Sequence, residues 1–111
     1  MSKFDEKVKE ALDSAKTMGI KVNGSLLEKV AKGLGPSIYR ADSALVAVSD
    51  KTEMERVKKS FCEGKLGSKD DAKNTAAIAS AAKAFGSNRK KLRIIFYTLI
   101  VESLGKSSVY K

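Results

Sequence analysis

The stretch from Leu92 to Leu104 reads LRIIFYTLIVESL and stops at Gly105. Leu92, Ile95, Phe96 and Leu99 fall on one helical face. Ile94, Ile100, Val101 and Leu104 carry apolar surface nearly all the way round. A helix apolar on most sides has to be enclosed by other elements. β-Branched and aromatic residues would also suit a strand over 94–101, but the pattern continues to a glycine stop and no partner strand reads elsewhere. The spacing therefore predicts a last long helix, from about Asn88 to Leu104, at the centre of an all-α fold.

The rest of the chain supplies the helices to enclose it. Phe4, Val8, Ala11, Ala15 and Met18 form a single stripe, so 2–18 reads as an amphipathic helix stopped by Gly19. Ser25-Leu-Leu-Glu28 has the pattern of a capping box opening a second helix. Its inner face is Leu27, Val30, Ala31 and Leu34, and Gly33, Gly35 and Pro36 end it. Ser37 to Ser49 reads as a short helix followed by a loop, with an extended run at Ala44–Val48 as the competing reading. Asp50-Lys-Thr-Glu53 is a second capping box, for a helix with Met54, Val57, Phe61 and Cys62 facing in and an end near Leu66-Gly67. Ser68 reads as the cap of an alanine-rich helix with Asp70 and Asp71 in its first turn. Ile78, Ala82 and Phe85 make that helix's larger contacts, Gly86 stops it, and its small residues allow close packing on a neighbour. The expectation is one compact domain over residues 1–111, a bundle of five to six helices.

With 111 residues the chain is the size of one domain, and it carries 22 Lys+Arg against 13 Asp+Glu, a formal charge of +9. Histidine is absent and Cys62 is the only cysteine. That removes Ser-His-Asp and Cys-His catalysis, His-ligated metals, internal disulfides and zinc ribbons. No enzyme, no cofactor and no metal are expected. The start, MSKFDEKVKE, lacks the apolar core of a secretory signal. The longest apolar run, Ile94 to Val101, is well short of the ~20 residues a bilayer span needs. The expected setting is cytoplasmic, away from the membrane.

The charge is unevenly placed. From Lys83 to Lys111 there are seven basic residues and one acid, Glu102, so +6 of the +9 lies in the last 29 residues. Within it stand Arg89, Lys90, Lys91 and Arg93, which the helix reading puts in the first turns of the last helix. Cations there oppose the helix dipole at about 0.3–1 kcal/mol each. Free N–H groups at a helix start also attract anions, so these residues are candidates for phosphate contact. The competing reading is a solvated surface patch.

A second candidate is Lys32-Gly33-Leu34-Gly35-Pro36-Ser37. It resembles the hairpin of a helix-hairpin-helix module, whose Gly-hydrophobic-Gly loop offers backbone N–H groups to nucleic-acid phosphates. It departs from that pattern at Ala31-Lys32, where Leu-Pro is usual, and at Ile38, where a small residue is usual. The resemblance implies donors at Gly33, Gly35 and Ser37, with charge from Lys32 and Arg40. The alternative is a glycine C-cap followed by proline. Gly64-Lys-Leu-Gly67 has the GxxG spacing of a KH loop, but with no sheet expected it reads as a helix end. Cys62, beside the inner stripe and with no base in reach, reads as a small buried hydrophobe.

Lys32-Gly-Leu-Gly-Pro-Ser-Ile-Tyr39, Glu55-Arg-Val-Lys-Lys-Ser-Phe61, Lys65-Leu-Gly67 and the end from Ser87-Asn-Arg89 through Phe96-Tyr97 to Gly105-Lys106 resemble a small bacterial family, the domain of unknown function 2853. The resemblance covers most of the chain after Val22. It implies a compact bacterial cytoplasmic domain and brings no catalytic or binding residues with it. The functional expectation therefore rests on charge. It is non-enzymatic binding of nucleic-acid backbone or another polyanion, with a protein-interaction module for an acidic protein, or for self-association, as the alternative.

Overall fold

The computed structural model describes residues 3–34, 46, 50–86 and 92–106. Five α-helices follow in order: α1 (Lys3–Thr17), α2 (Gly24–Leu34), α3 (Lys51–Arg56), α4 (Asp71–Phe85) and α5 (Arg93–Leu104). α3 runs without a break into a π-helical segment, Val57–Lys65. There is no β-strand among the described residues. The all-α expectation holds. The 37–49 stretch lies outside the described residues apart from Val46, which is buried.

α5 is the central element. Ile94, Ile95, Phe96, Tyr97, Thr98, Ile100 and Val101 are all buried, so its apolar surface is covered on nearly every side. α4 packs on it most extensively, followed by α2 and α1. Ala77 and Ala81 on α4 are buried, and side chains this short let the two helices approach closely, as their spacing predicts. Phe85 and Phe96 stack across the contact with ring centroids 6.3 Å apart. Thr98, the polar residue inside α5, donates its hydroxyl to the Ile94 carbonyl at 2.7 Å and so leaves no unmet group.

α1 ends as its sequence suggests. Gly19 has φ +74°. Its N–H reaches the Lys16 carbonyl, and the N–H of buried Ile20 reaches that of Ala15 at 2.8 Å. This is a Schellman end, in which a left-handed glycine satisfies carbonyls left over at the helix terminus. α5 ends the same way at Gly105, φ +65°.

The start of α2 differs from the capping-box expectation. The N-cap is Asn23 and not Ser25: Asn23 Oδ1 accepts the Leu26 N–H at 3.1 Å. The carboxylate that completes such a box comes from another helix, since Glu102 Oε1 on α5 accepts the Asn23 N–H at 3.0 Å. Glu28 is exposed. Asn23 outcompetes Ser25 because the chain bends into the helix two residues earlier, and asparagine is an equally good cap. Gly33 falls inside α2, which continues to Leu34.

α4 also starts later than expected. Its cap is Asp70, whose carboxylate accepts the Lys73 N–H at 3.2 Å. Ser68 is buried instead, and pairs with buried Asn74 twice: Ser68 Oγ donates to Asn74 Oδ1, and Asn74 Nδ2 donates to the Ser68 carbonyl, both at 2.7 Å. Two polar side chains are thereby buried at little cost, since each satisfies the other.

The π-helical turns depart from the regular helix that the spacing predicts. Their physical reason lies in the buried set Val57, Phe61, Cys62 and Leu66. At about 3.6 residues per turn these positions would spread over half the helix circumference. The wider i→i+5 turn gathers them onto one side. Asp50 caps α3 as its sequence implies, accepting from the N–H groups of Thr52 at 2.9 Å and Glu53 at 3.3 Å. The segment ends at Gly67, φ +69°, with the Ser68 N–H on the Cys62 carbonyl at 2.8 Å. Lys58 ties it to α4, reaching Asp71 at 2.8 Å and Glu55 at 3.3 Å.

Candidate nucleic-acid interface

The basic cluster sits differently on the last helix from the way its spacing suggests. Leu92 is extended, with φ −65° and ψ 130°, and serves as the N-cap. The first helical bond runs from the Phe96 N–H to the Leu92 carbonyl at 3.0 Å. α5 therefore begins at Arg93. Arg89, Lys90 and Lys91 precede the helix rather than forming its first turns, and lie outside the described residues. Among the described residues, Arg93 is the cation in the first turn of α5.

That one cation has partners. Arg93 Nη2 donates to Glu53 Oε1 at 2.8 Å, and its Nη1 donates to the Tyr97 hydroxyl at 2.8 Å. Its guanidinium carbon lies 5.4 Å from the centre of the Tyr97 ring, within cation–π range. The ring in turn packs on Phe61, with centroids 4.2 Å apart. The Arg93 and Glu53 side chains are only 17% and 23% exposed. α5 has no acidic residue in its own first turn; Glu53, from α3, places a carboxylate beside it. This is the arrangement a helix start favours. Arg93 is thus held by internal partners, with most of its side chain covered.

Burial raises the pKa of the Tyr97 phenol above its ordinary value, an effect that neighbouring Arg93 opposes and Glu53 reinforces. Burial, with Glu63 adding to it, also pushes the Cys62 thiol up to about 11. A thiol so placed stays protonated at neutral pH and is a poor nucleophile, as its position beside the inner stripe suggests.

The second candidate divides. Lys32 and Gly33 occupy the last turns of α2 and are exposed. Gly33 is helical and does not have a positive φ, so it does not form the first corner of a hairpin. The reason is that α2 keeps its register through Leu34. Gly35, Ser37 and Arg40 lie outside the described residues. The GxxG at Gly64–Gly67 is the close of the π-helical segment, as its helix-end reading has it.

Sequence reasoning missed Glu53 and Tyr97 as partners of Arg93. Tyr97 had a signal, because Arg93 and Tyr97 stand four apart on one helix and so are neighbours. Glu53, forty residues away, had none. No helix among the described residues is long and apolar enough to cross a membrane.

Residues 9–108 match a family described as protein of unknown function (DUF2853). No curated protein matches the chain.

Proposed function

The chain belongs to this family of proteins of unknown function, and we propose that it is a non-enzymatic binder of polyanions, with nucleic-acid backbone as its ligand. The observation that carries this reading is the placement of charge. Six of the nine net positive charges fall in the last 29 residues, and Arg89, Lys90 and Lys91 are joined through Leu92 to the start of α5. Lys32, exposed on α2, and Arg40 are the secondary contacts. Gly33, inside α2, does not open a hairpin, and Gly35 and Ser37 stay candidate donors next to it in sequence. The protonated, buried Cys62 and the absence of histidine support the non-enzymatic part.

Such binding is sequence-independent and driven by counterion release, so its affinity falls steeply with salt. The test is fluorescence anisotropy with a duplex DNA and a single-stranded RNA at several salt concentrations between about 50 and 200 mM. The plot of log affinity against log salt is expected to be steep. Changing Arg89, Lys90 and Lys91 together to Gln should lower its slope by about 0.9 for each phosphate no longer neutralised. No binding at the lowest salt, or an unchanged slope in the triple variant, refutes the reading.

A further inference from the structure

We infer that the corner where α1 turns toward α2 is a docking groove for an acidic amphipathic helix of a partner protein. The site does not involve the 89–91 run and stands apart from the polyanion reading above. Gly19 ends α1 in a left-handed turn, φ +74°. It has no side chain, and nothing lies within 4 Å of where one would begin. The corner is therefore left open as a groove of about 530 Å³, walled by Leu12, Ala15, Ile20 and Val22 and flanked by Lys16 and Lys21. Leu12 and Val22 are only half-buried, at the margin of the core, so covering them is favourable. Lys16 and Lys21 are exposed, and neither pairs with an acid among the described residues. Glu102, which reaches Asn23 just beyond Val22, is engaged with that residue's N–H. The α1 dipole accounts for a cation at Lys16. It does not account for Lys21, which lies outside the helices. An apolar floor beside two unpaired ammonium groups matches a segment of the complementary pattern, apolar anchors flanked by carboxylates. A small molecule in so open a groove would keep much of its surface in water, whereas ligand pockets bury most of it. A helix laid across the groove anchors through side chains on successive turns instead. A second copy of this chain is a poor occupant, because each copy carries +9 and the two repel.

The test is an NMR titration of the full chain with a synthetic helical peptide that has leucines at i, i+4 and i+7 and glutamates at the flanking positions. Saturable amide shifts concentrated on residues 12–22 are expected. Lys16→Gln/Lys21→Gln, two exposed positions whose change leaves the core intact, should weaken the peptide about fivefold. Lys69→Gln/Lys73→Gln removes the same charge from exposed positions that do not line the groove, and should change affinity by less than about twofold. A peptide with serine in place of each leucine keeps its charge and should bind at least about tenfold more weakly. Absent or scattered shifts overturn the inference. So does a serine peptide that binds as well as the leucine one, since the attraction is then charge alone. Equal losses in the two lysine pairs overturn it on the same ground. Shifts at 12–22 that grow with protein concentration, without peptide, assign the groove to a second copy and also overturn it. A duplex DNA that shifts these amides and displaces the peptide assigns the groove to nucleic acid, with the same result. The polyanion reading is judged separately, by the salt slope of the Arg89, Lys90, Lys91 variant, so the two can fail independently.

Discussion

The two ends of α5 are fastened in opposite ways. At its start, Arg93 is a cation in a part-buried site, tied to Glu53 and Tyr97 and backed by aromatic rings. At its end, Glu102 is an exposed anion that closes the N-cap of α2 by accepting one backbone N–H at 3.0 Å. Each charge sits at the helix terminus where the dipole disfavours it. Each is justified by a partner brought in from elsewhere in the chain. The difference is solvent. A part-buried pair is costly to break, because the surviving partner is left short of water. An exposed contact is replaced by water at little cost. One end is therefore expected to be rigid and the other replaceable.

The middle of α5 sets the scale against which both ends are measured. Phe96 is fully buried and stacks on Phe85. Phe96→Ala is expected to cost about 3–5 kcal/mol in denaturant unfolding. A loss as small as that of an end substitution would mean that α5 is not the centre of the core. Arg93→Ala comes next, at about 2–3 kcal/mol, since it takes the guanidinium away from part-buried Glu53 and from the Tyr97 hydroxyl together. A loss under about 0.5 kcal/mol would place Arg93 with ordinary surface residues and erase the contrast between the two ends.

The start of α5 should also be the alkali-sensitive end. The Cys62 thiol rises from an ordinary 9.0 to about 11 in the folded protein. Tyr97, which senses the charge on Cys62, is raised as well. A group whose folded value is raised binds its proton more tightly when folded. Its stabilising effect is complete below the unfolded value and is lost as pH climbs through the folded one. Stability owed to Cys62 is thus constant up to pH 9 and declines toward pH 11. The full loss, reached above pH 11, is about 3 kcal/mol, at ~1.4 kcal/mol per unit. Thermal unfolding across that range should show the decline, and Cys62→Ala should make it shallower. A profile identical in wild type and variant would break the assignment.

What the sequence reveals divides along the same line. The all-α class, the central last helix and the glycine ends at Gly19 and Gly105 are legible because each depends on residues within a turn or two of one another. The N-caps are legible only in part. Asp50 takes the cap although Ser49 and Thr52 stand within two places of it, whereas Ser25 and Ser68 lose to Asn23 and Asp70, cap-forming residues two places away. The π-helical turns are encoded in the spacing of Val57, Phe61, Cys62 and Leu66, which α-helical periodicity misreads. The candidate site suffers most. The inward fate of Arg93 depends on Glu53, and no local pattern joins residues forty apart.

The smallest expected effects lie at the Glu102 end, and they separate cap from clasp. Asn23→Ala removes the side chain that accepts the Leu26 N–H and should cost about 1 kcal/mol, as caps do. Ser25→Ala, by contrast, should cost about 0.3 kcal/mol at most, because Ser25 is exposed and stands inside α2, past the capping position. Glu102→Gln keeps an oxygen that can accept the Asn23 N–H and removes only the charge. It should lie within about 0.5 kcal/mol of wild type, and any difference should vanish in high salt. If Glu102→Gln instead costs as much as Arg93→Ala, the exposed end carries a buried-type contact and the opposition between the two termini fails. If it raises stability slightly, the anion was working against the helix dipole. The clasp on Asn23 would then be made by geometry and not by charge.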